Sequence, residues 1–319
     1  AVAVSSGGYH TCAILDNGAV TCWGSGGGGQ LGNGGTSDKN TPTLTNSLGT
    51  GRTAVAISSG WSHTCVILDN GAVSCWGDGS YGQLGSGSGS SSYWRNTPTL
   101  TSSLGTGRTA VAISSGEHHT CAILDNAALS CWGSGGSGQL GNGGTSNKNS
   151  PTLTSSLGTG RTAVAISSAH SQTCAILDNG AVSCWGRGDY GQIGNGGTSY
   201  TYSPTLTSSL GTGRTVALSE RDFDNDGILN IFDVHQQGID VREETLAAAS
   251  AHTCVILDNG AVSCWGYAYS GQLGNGGSTQ TNTPGQTSSL GAGRTAVAIS
   301  SGSEHTCVIL DNGLVSCWG

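Results

Sequence analysis

The most distinctive chemistry in the sequence lies in an acidic stretch at positions 222–233, which reads D-F-D-N-D-G-I-L-N-I-F-D. Aspartates alternate at its start and Gly227 follows them, in the order of the twelve-residue calcium-binding loop. Three closely spaced carboxylates repel one another, and a divalent cation that prefers oxygen ligands relieves this repulsion. The stretch therefore predicts a Ca²⁺ site with five side-chain ligands and the backbone carbonyl of Ile228: Asp222, Asp224, Asp226, Ile228, Asn230 and Asp233.

This acidic stretch departs from the helix-flanked form of the calcium loop. Its last ligand is Asp233 rather than the longer, bidentate Glu, and no flanking helices of the usual length are evident. It resembles the calcium loops of thrombospondin type 3 and dockerin segments, and we expect weak affinity, on the order of 10⁻⁴–10⁻³ M. The alternative is a solvated acidic loop without an ion, since Glu220–Thr245 holds eight of the nineteen acids.

Cysteines form the second group of reactive side chains. Twelve of them occur in six pairs, and the members of each pair are ten residues apart: Cys12 with Cys22, Cys65 with Cys75, Cys121 with Cys131, Cys174 with Cys184, Cys254 with Cys264, and Cys307 with Cys317. An even count at fixed spacing favours disulfides formed in an oxidising compartment, and hence an extracellular or cell-surface protein. Zinc binding and reduced thiols within a core are the alternatives, but no Cys-x-x-Cys zinc knuckle is present.

Several recurring side chains invite a catalytic interpretation that we do not adopt. Asp recurs in a turn of every repeat (Asp16, Asp69, Asp125, Asp178, Asp258, Asp311), Arg recurs at Arg52, Arg108, Arg161, Arg214 and Arg294, and a His-Thr-Cys motif recurs beside them. A residue present in every repeat is better explained by architecture, with the Arg bonding a loop carbonyl or acid. No G-x-S-x-G elbow and no phosphate-loop lysine is found. The sequence predicts a protein that is not an enzyme.

These residues are positioned by a repeated hairpin, first seen as H-T-C-A-I-L-D-N-G-A-V-T-C-W-G at His10–Gly24. The first cysteines of successive repeats are 53, 56, 53, 80 and 53 residues apart. Asp-Asn-Gly suits a three-residue loop with Gly in the left-handed region. That loop places Ile14 opposite Val20 and Cys12 opposite Cys22, and directly opposed residues lie about 4.5–5.5 Å apart, close enough for a disulfide.

Both faces of each hairpin are apolar, so each needs cover on both sides, as in the radially stacked sheets of a β-propeller. The pattern G-x-x-H-T-C-x-I-L-x-x-G-x-V-x-C-W-G, followed by G-Q-L-G-x-G and T-P, resembles the regulator-of-chromosome-condensation repeat over nearly the whole chain. The paired cysteines resemble the secreted bacterial and archaeal members more than the nuclear exchange factor. The predicted fold is all-β, a propeller of repeats of about 53 residues with six blades, or part of seven, and an incomplete last blade.

The repeats and the acidic stretch divide the chain into three segments. Repeats 1–4 occupy residues 1–219, in units near 1–53, 54–109, 110–162 and 163–219; the acidic calcium-loop insert covers 220–245, and repeat 5 with part of repeat 6 covers 246–319. Val216–Ser219 matches the V-A-I-S strand of other repeats, which predicts that the insert emerges between the first strand and the hairpin. The sixth repeat stops after its Trp-Gly, so either the chain continues past Gly319 or the sixth blade has an open sheet edge that another copy could complete.

Two loops vary between repeats while the Asp-Asn-Gly turns stay nearly constant. One loop precedes each hairpin and the other follows each Trp-Gly, and strand direction puts both on the face opposite the turns. They carry the candidate binding residues Tyr9, Trp61, Tyr81, His118, His170, Tyr190, Tyr267 and Tyr269. Neutral drift of loop sequence is the alternative. If the insert is placed as predicted, it lies on the same face.

The bulk composition narrows the classes of partner. The net charge of −8 argues against nucleic acid and anionic membranes, and no apolar run reaches the roughly 20 residues of a membrane span. We expect an extracellular structural or adhesive propeller, self-assembling into a homo-oligomer or filament through its open edge and stabilised by Ca²⁺. The alternative is a secreted propeller that binds a protein partner, which a resemblance to the secreted propeller-type β-lactamase inhibitor allows. Guanine-nucleotide exchange, the activity of the nuclear relative, is the third predicted function, because paired cysteines and an acidic charge argue against a nuclear, chromatin-bound protein.

Overall fold

A computed structural model describes residues 1–87, 93–217 and 245–319. Within these ranges the chain forms 23 β-strands and no helix, so no helix there could cross a membrane. The predicted all-β propeller with six blades is confirmed. The strands, by blade, are β1 Ala3–Ser6, β2 His10–Ile14, β3 Val20–Gly24 and β4 Lys39–Leu44; β5 Ala54–Ser59, β6 His63–Leu68, β7 Val73–Asp78 and β8 Trp94–Leu100; β9 Ala110–Ser115, β10 His119–Leu124, β11 Leu129–Gly133 and β12 Lys148–Leu153; β13 Ala163–Ala169, β14 Gln172–Leu177, β15 Val182–Gly186 and β16 Thr201–Leu206; β17 Leu246–Ala248, β18 His252–Ile256, β19 Val262–Gly266 and β20 Thr281–Gln286; β21 Ala296–Ser301, β22 Thr306–Leu310 and β23 Val315–Trp318.

The blades fall into two compact units. Blades 1–3 belong to the first unit, Ala1–Gly136 with Gly144–Thr154, and blades 4–6 belong to the second, Ser137–Gly143 with Ser155–Gly319. Five blades are four-stranded antiparallel meanders, and the described strands of blade 6 form a three-stranded sheet. Within each unit the first strands of successive blades lie against one another, so they are the inner strands.

The hairpin register is the one that the turn and the cysteines predict. Cys12 pairs with Cys22 and Ile14 with Val20, and the equivalent cysteines are opposed in every blade. Gly18 adopts a φ of 74° at the end of the turn, and its amide donates to the Leu15 carbonyl at 2.9 Å. The turn and the cysteine spacing therefore specify one register, and the chain adopts it.

The six predicted disulfides are all present, one in the hairpin of each blade. They join Cys12 to Cys22, Cys65 to Cys75, Cys121 to Cys131, Cys174 to Cys184, Cys254 to Cys264, and Cys307 to Cys317. All twelve cysteines lie in the described ranges, and none of them is free. Zinc ligation and reduced core thiols, the alternatives from the sequence, therefore do not apply to these cysteines.

The core lies between neighbouring blades, as the two apolar faces of each hairpin predict. In the first unit Cys12, Ile14 and Val20 of blade 1 pack against Val66 and Trp76 of blade 2. The equivalent layers join blades 2 and 3, blades 4 and 5, and blades 5 and 6. Each blade therefore depends on its neighbours for cover.

The outer strands carry all five prolines of the chain: Pro42, Pro98, Pro151, Pro204 and Pro284. Proline has no amide hydrogen, so it interrupts the row of donors that a foreign strand would need for pairing. These five edges are protected against edge-to-edge association.

The predicted placement of the insert is only half right. Val216 pairs with Leu257, as the first residue of an inner strand should, and the Ala217 amide donates to the Ile256 carbonyl at 3.0 Å. The next rung, however, is Leu246 with Val255. The inner strand of blade 5 is thus built from both sides of the insert, which interrupts it midway instead of following it. The insert therefore does not replace the loop before the hairpin, and the strand positions that flank it do not support the prediction that it lies on the face of the variable loops.

Candidate functional site

The recurring polar residues of the repeats form a hydrogen-bonded link between blades. His10 Nε2 lies 2.8 Å from Thr64 Oγ1 of the next blade, and that hydroxyl donates to the Gln30 carbonyl at 3.2 Å. The indole Nε1 of Trp76 donates to the same carbonyl at 2.9 Å. Because the single hydroxyl proton of Thr64 is used on the carbonyl, the hydroxyl accepts from His10, which is therefore a neutral Nε2–H donor.

The same link recurs from blade 2 to blade 3, from blade 4 to blade 5 and from blade 5 to blade 6. His63 contacts Thr120 at 3.0 Å and His252 contacts Thr306 at 2.8 Å, while Gln172, which replaces the histidine, donates to Thr253 at 2.9 Å. A glutamine amide makes the same bond as the histidine, so the position requires a donor and not a titratable group. The recurring His-Thr-Cys motif is structural, as predicted.

Burial holds these histidines neutral. It lowers the pKa of His10 to about 4, that of His252 to about 4 and that of His63 to about 3, and the neighbouring histidines lower the pKa of His63 further. Nδ1 of all three has no hydrogen-bond partner among the described residues, so a proton bound there would bring an unsolvated charge into the core. Such groups are unsuited to proton transfer near neutral pH.

The recurring Asp and Arg also have an architectural role. Arg52 pairs with Asp69 at 3.1 Å and Arg108 with Asp125 at 3.2 Å. Arg161, Arg214 and Arg294 pair in the same way with Asp178, Asp258 and Asp311, at 3.4, 3.3 and 3.5 Å. These partly exposed pairs tie the hairpin turns of blades 2–6 to the loop that enters the same blade, and each contributes about 0–1 kcal/mol.

The two variable loops lie side by side at the end of each blade opposite the Asp-Asn-Gly turn. The Asp78 amide donates to the Ser62 carbonyl at 2.8 Å, and the Tyr267 amide donates to the Ala251 carbonyl at 2.8 Å. The loops before successive hairpins are joined as well, because the Gly8 amide donates to the Trp61 carbonyl at 3.2 Å. A rigid backbone therefore presents the side chains of both loops.

In the first unit, four of the predicted binding residues form ring pairs, which we call the first aromatic patch: Tyr9, Trp61, Tyr81 and His118. The rings of Tyr9 and Trp61 meet edge to face at 5.3 Å, and those of Tyr81 and His118 lie 4.7 Å apart. Both pairs join adjacent blades. Tyr9 is 67% exposed, Trp61 41% and Tyr81 42%, so the patch offers large apolar surfaces to solvent.

In the second unit, Tyr190, Tyr267 and Tyr269 form the second aromatic patch. Tyr190 and Tyr267 meet at 5.0 Å, and the rings of Tyr267 and Tyr269 are nearly parallel at 6.1 Å. The Arg187 guanidinium lies 5.1 Å from the centre of the Tyr190 ring, and both its Nε and one terminal nitrogen donate to the Asp189 carboxylate at 2.8 Å. His170 lies in a loop of blade 4, bonded to Ser171 at 3.0 Å, and we assign it to neither patch.

Two buried amides beneath the second patch were not identified from the sequence. Gln192 and Gln272 are fully buried, and their Oε1 atoms accept from the amides of Tyr190 and Ser270 at 2.9 Å. Their Nε2 atoms have no hydrogen-bond partner among the described residues. In blade 2 the equivalent Gln83 donates to Asp78 at 3.1 Å. Each orphaned donor costs about 1–3 kcal/mol. An alignment of the repeats shows the signal in the sequence, because the residue after Trp-Gly is Asp78 in blade 2 but Arg187 in blade 4 and Tyr267 in blade 5.

The predicted calcium ligands Asp222, Asp224, Asp226, Ile228, Asn230 and Asp233 lie outside the described residues. In the described ranges no group of three or more His, Cys, Asp or Glu side chains could hold a metal ion. Among the described residues, the candidate site is a set of exposed and half-buried rings held on hydrogen-bonded loops.

Comparisons with known proteins agree with the repeat pattern. Two family models, each described as Regulator of chromosome condensation (RCC1) repeat, match the chain, one at residues 1–30, 54–83, 110–139 and 162–192 and the other at 17–67, 70–123, 129–176 and 259–309. The second covers more than half of the chain. These models do not address the secreted, cysteine-paired subtype or the calcium loop.

Among curated proteins, the human E3 ubiquitin-protein ligase HERC2 is 29% identical over 306 residues, which is 96% of this chain but 6% of that protein. The human probable E3 ubiquitin-protein ligase HERC4 is 35% identical over 205 residues, 64% of this chain and 19% of that protein. The chain thus spans only a small part of either relative.

Among solved structures, human WBSCR16 superposes with a TM-score of 0.80 at 18% identity, covering 99% of this chain and 75% of that one. Prp20p from Saccharomyces cerevisiae, described with its binding to Gsp1p and histones, gives 0.77 at 16%, covering 99% and 71%. The ectodomain of the Physcomitrella patens receptor kinase CR4 gives 0.55 at 16%, covering 99% and 61%. At these identities the likeness concerns the fold.

Proposed function

Because the chain belongs to the regulator of chromosome condensation (RCC1) repeat family, we propose that it is an extracellular, non-enzymatic β-propeller that binds a protein partner through its aromatic patches. The observation that carries the proposal is the pairing of rings across blades, with the exposed Tyr9 on the exposed Trp61 and the half-buried Tyr190 on the half-buried Tyr267. Rigid tyrosine and tryptophan side chains give large contact areas at a low cost in conformational entropy, which is why they dominate binding hot spots.

The composition of the loops also favours a protein partner. Between the rings the loops consist mainly of Gly, Ser and Asn, as in G-D-G-S-Y-G at 77–82 and Y-A-Y-S-G at 267–271. Tyrosine combined with Ser, Gly and Asn is the composition of antibody paratopes, where small polar residues supply adaptable hydrogen bonds. Prp20p, of the same fold, is described as binding Gsp1p and histones, both of which are proteins.

The disulfides support a location outside the cell. All twelve cysteines are paired in disulfides, and ten of them are buried. Disulfides form and persist in an oxidising compartment, whereas the cytosol keeps thiols reduced. The CR4 structure is an ectodomain, so the fold occurs in an extracellular setting. The HERC relatives are named as ligases, but their matching segments are small parts of those proteins.

We further propose that the insert binds Ca²⁺ through the six ligands that its sequence predicts. Its two ends are fixed in the middle of one inner strand, by the pairing of Val216 with Leu257 and of Leu246 with Val255. An ion bound by the insert would therefore act on a strand inside the propeller. Self-assembly as a structural or adhesive protein stays a prediction, and the prolines of the five outer strands leave fewer edges available for it.

The proposal is tested by capture of partners from extracellular fluid on the immobilised full chain, with variants in each patch. Trp61→Ala and Tyr269→Ala remove exposed rings, and Leu100→Ala, a 57% exposed leucine of an outer strand, is the matched control. We expect a partner that is retained by the control and whose Kd rises at least 30-fold in a patch variant, as for a hot-spot ring. If the captured proteins are the same for all variants, the patches are not the contact surface.

A further inference from the structure

The residue that follows Trp-Gly differs between blades in a way that affects the buried glutamine below it. In blade 2 this residue is Asp78, whose carboxylate accepts from the Ser80 amide at 3.0 Å and from Gln83 Nε2 at 3.1 Å. In blade 4 it is Arg187, and in blade 5 it is Tyr267. Neither side chain accepts from the glutamine below it, and among the described residues Gln192 and Gln272 keep an unpartnered donor in a fully buried position.

The second aromatic patch is therefore built without a hydrogen bond that blade 2 makes. A buried donor without a partner destabilises the folded state, and an aspartate or asparagine at position 267 would relieve it. Residues that break a local rule without a structural gain are expected at functional sites. In blade 5 a ring of the patch, Tyr267, takes the place of the acceptor, and in blade 4 Arg187 does, which lies against the Tyr190 ring. Both replacements belong to the patch, which points to a ligand for it.

The chemistry of that ligand is indicated by a contact that the patch already makes. Arg187 places its guanidinium 5.1 Å from the centre of the Tyr190 ring and 2.8 Å from Asp189, so one tyrosine face already binds a cation beside a carboxylate. Tyr267 and Tyr269 are two residues apart with nearly parallel rings, and Tyr269 is 79% exposed. The net charge of −8 attracts cationic partners.

We propose that the second aromatic patch binds an arginine or lysine side chain of the protein partner, by stacking on the exposed ring of Tyr269 beside the half-buried ring of Tyr267. This inference rests on the proposed function and specifies the partner of one of its two patches. Cation–π contacts of this kind are favourable even at partly exposed sites, and arginine also stacks through its planar guanidinium.

The first test is a calorimetric titration of the full chain with the peptide acetyl-(Gly-Arg)₄-amide and with its glutamine counterpart, acetyl-(Gly-Gln)₄-amide. We expect the arginine peptide to bind at least fivefold more tightly than the glutamine peptide. Tyr269→Ala should weaken binding of the arginine peptide at least fivefold, and Tyr269→Phe, which keeps the ring, should not. Tyr93→Ala, at a 56% exposed tyrosine outside both patches, is the control and should bind as the wild type does. Equal affinity for the two peptides, or no loss in Tyr269→Ala, overturns the proposal.

The second test measures how much the unpartnered donor of Gln272 lowers the stability of the folded protein. Tyr267→Asn offers Gln272 Nε2 an uncharged acceptor, so we expect its urea midpoint to rise while arginine-peptide binding falls. The matched variant Asp78→Ala, which orphans Gln83, should lower the midpoint. If Tyr267→Asn leaves the urea midpoint unchanged or lower, then Tyr267 does not destabilise the folded protein, and the inference fails.

These tests separate the inference from the proposed function. If the arginine peptide does not bind but capture of a natural partner still depends on Tyr269, the cation-binding chemistry is wrong and the binding function stands. If capture is indifferent to both patches, the proposed function fails, whatever the peptides show.

Discussion

Acid should destabilise this propeller through the histidines that link its blades, and one substitution can isolate the effect. His63 is fully buried, donates to Thr120 through Nε2, and has its pKa lowered from 6.5 to about 3 by burial. In the unfolded chain the same side chain titrates near 6.5. The unfolded state therefore binds a proton between these two values that the folded state does not bind, so stability is complete above pH 6.5 and is lost as the pH falls toward 3.

The size of the effect follows from the span of pH over which the difference acts. From pH 6.5 to pH 4.5 the unfolded state holds about one extra proton per histidine, and each pH unit contributes about 1.4 kcal/mol. His63 alone should thus lower the free energy of unfolding by about 2–3 kcal/mol at pH 4.5. His10 and His252, whose pKa values are lowered to about 4, should each add a similar amount.

His63→Gln is the variant that separates protonation from the loss of a hydrogen bond. Gln172 occupies the same position in blade 4 and donates to Thr253 at 2.9 Å, so a glutamine amide fits this site. In urea unfolding followed by tryptophan fluorescence, the variant should match the wild type at pH 7.5 within about 1 kcal/mol. At pH 4.5 it should be more stable than the wild type by about 2–3 kcal/mol.

The reverse substitution gives the control. Gln172→His should add a buried histidine and steepen the pH dependence of the free energy of unfolding by a comparable amount. If wild type, His63→Gln and Gln172→His lose the same stability between pH 7.5 and 4.5, the histidines do not titrate on unfolding as described, and the reasoning is refuted.

Four further predictions concern the metal, the disulfides, one strained residue and the assembly state. Calorimetry at millimolar Ca²⁺ should show a heat of binding that Asp224→Ala abolishes, and its absence would mean that the acidic insert is only a solvated loop. Replacing Cys65 and Cys75 together by alanine should lower the free energy of unfolding by at most about 3 kcal/mol, because the closed loop is short; an unchanged urea midpoint would contradict this. Ala127 adopts a φ of 60° where other blades have Gly, so Ala127→Gly should stabilise the protein by about 1 kcal/mol, and a lower melting temperature would argue against strain. Light scattering that shows a monodisperse monomer would exclude self-assembly.

The hairpins could be predicted from the sequence because two independent local signals specify one register. The Asp-Asn-Gly loop and the ten-residue cysteine spacing both place Cys12 opposite Cys22, and the structure confirms it. Apolar residues on both strand faces then required neighbours on both sides, which led to the propeller. Each of these steps depends on chemistry within a few residues along the chain.

The remaining features depend on contacts between repeats, and these were harder to predict. The bond from His10 to Thr64 spans 54 residues, and no local pattern signals it. The insert was misplaced because Val216 matched an inner strand by sequence, whereas the ladder is shared with Leu246 on the other side of the insert. The candidate rings were identified as residues of one face, but which rings pair depends on the spacing of neighbouring blades.

The hydrogen-bonded link between blades also determines which segment of the chain could be excised as a repeat unit and placed in another protein. The Gln30 carbonyl belongs to blade 1 by sequence, yet it accepts from Thr64 and Trp76 of blade 2. An excised four-stranded sheet would lose these acceptors and leave a buried indole without a partner. A segment that is to fold in another protein must therefore begin at the G-Q-L-G loop of the preceding repeat, so that it contains the carbonyl that its buried threonine and tryptophan need. The boundaries of such a segment differ from those of the four-stranded sheet.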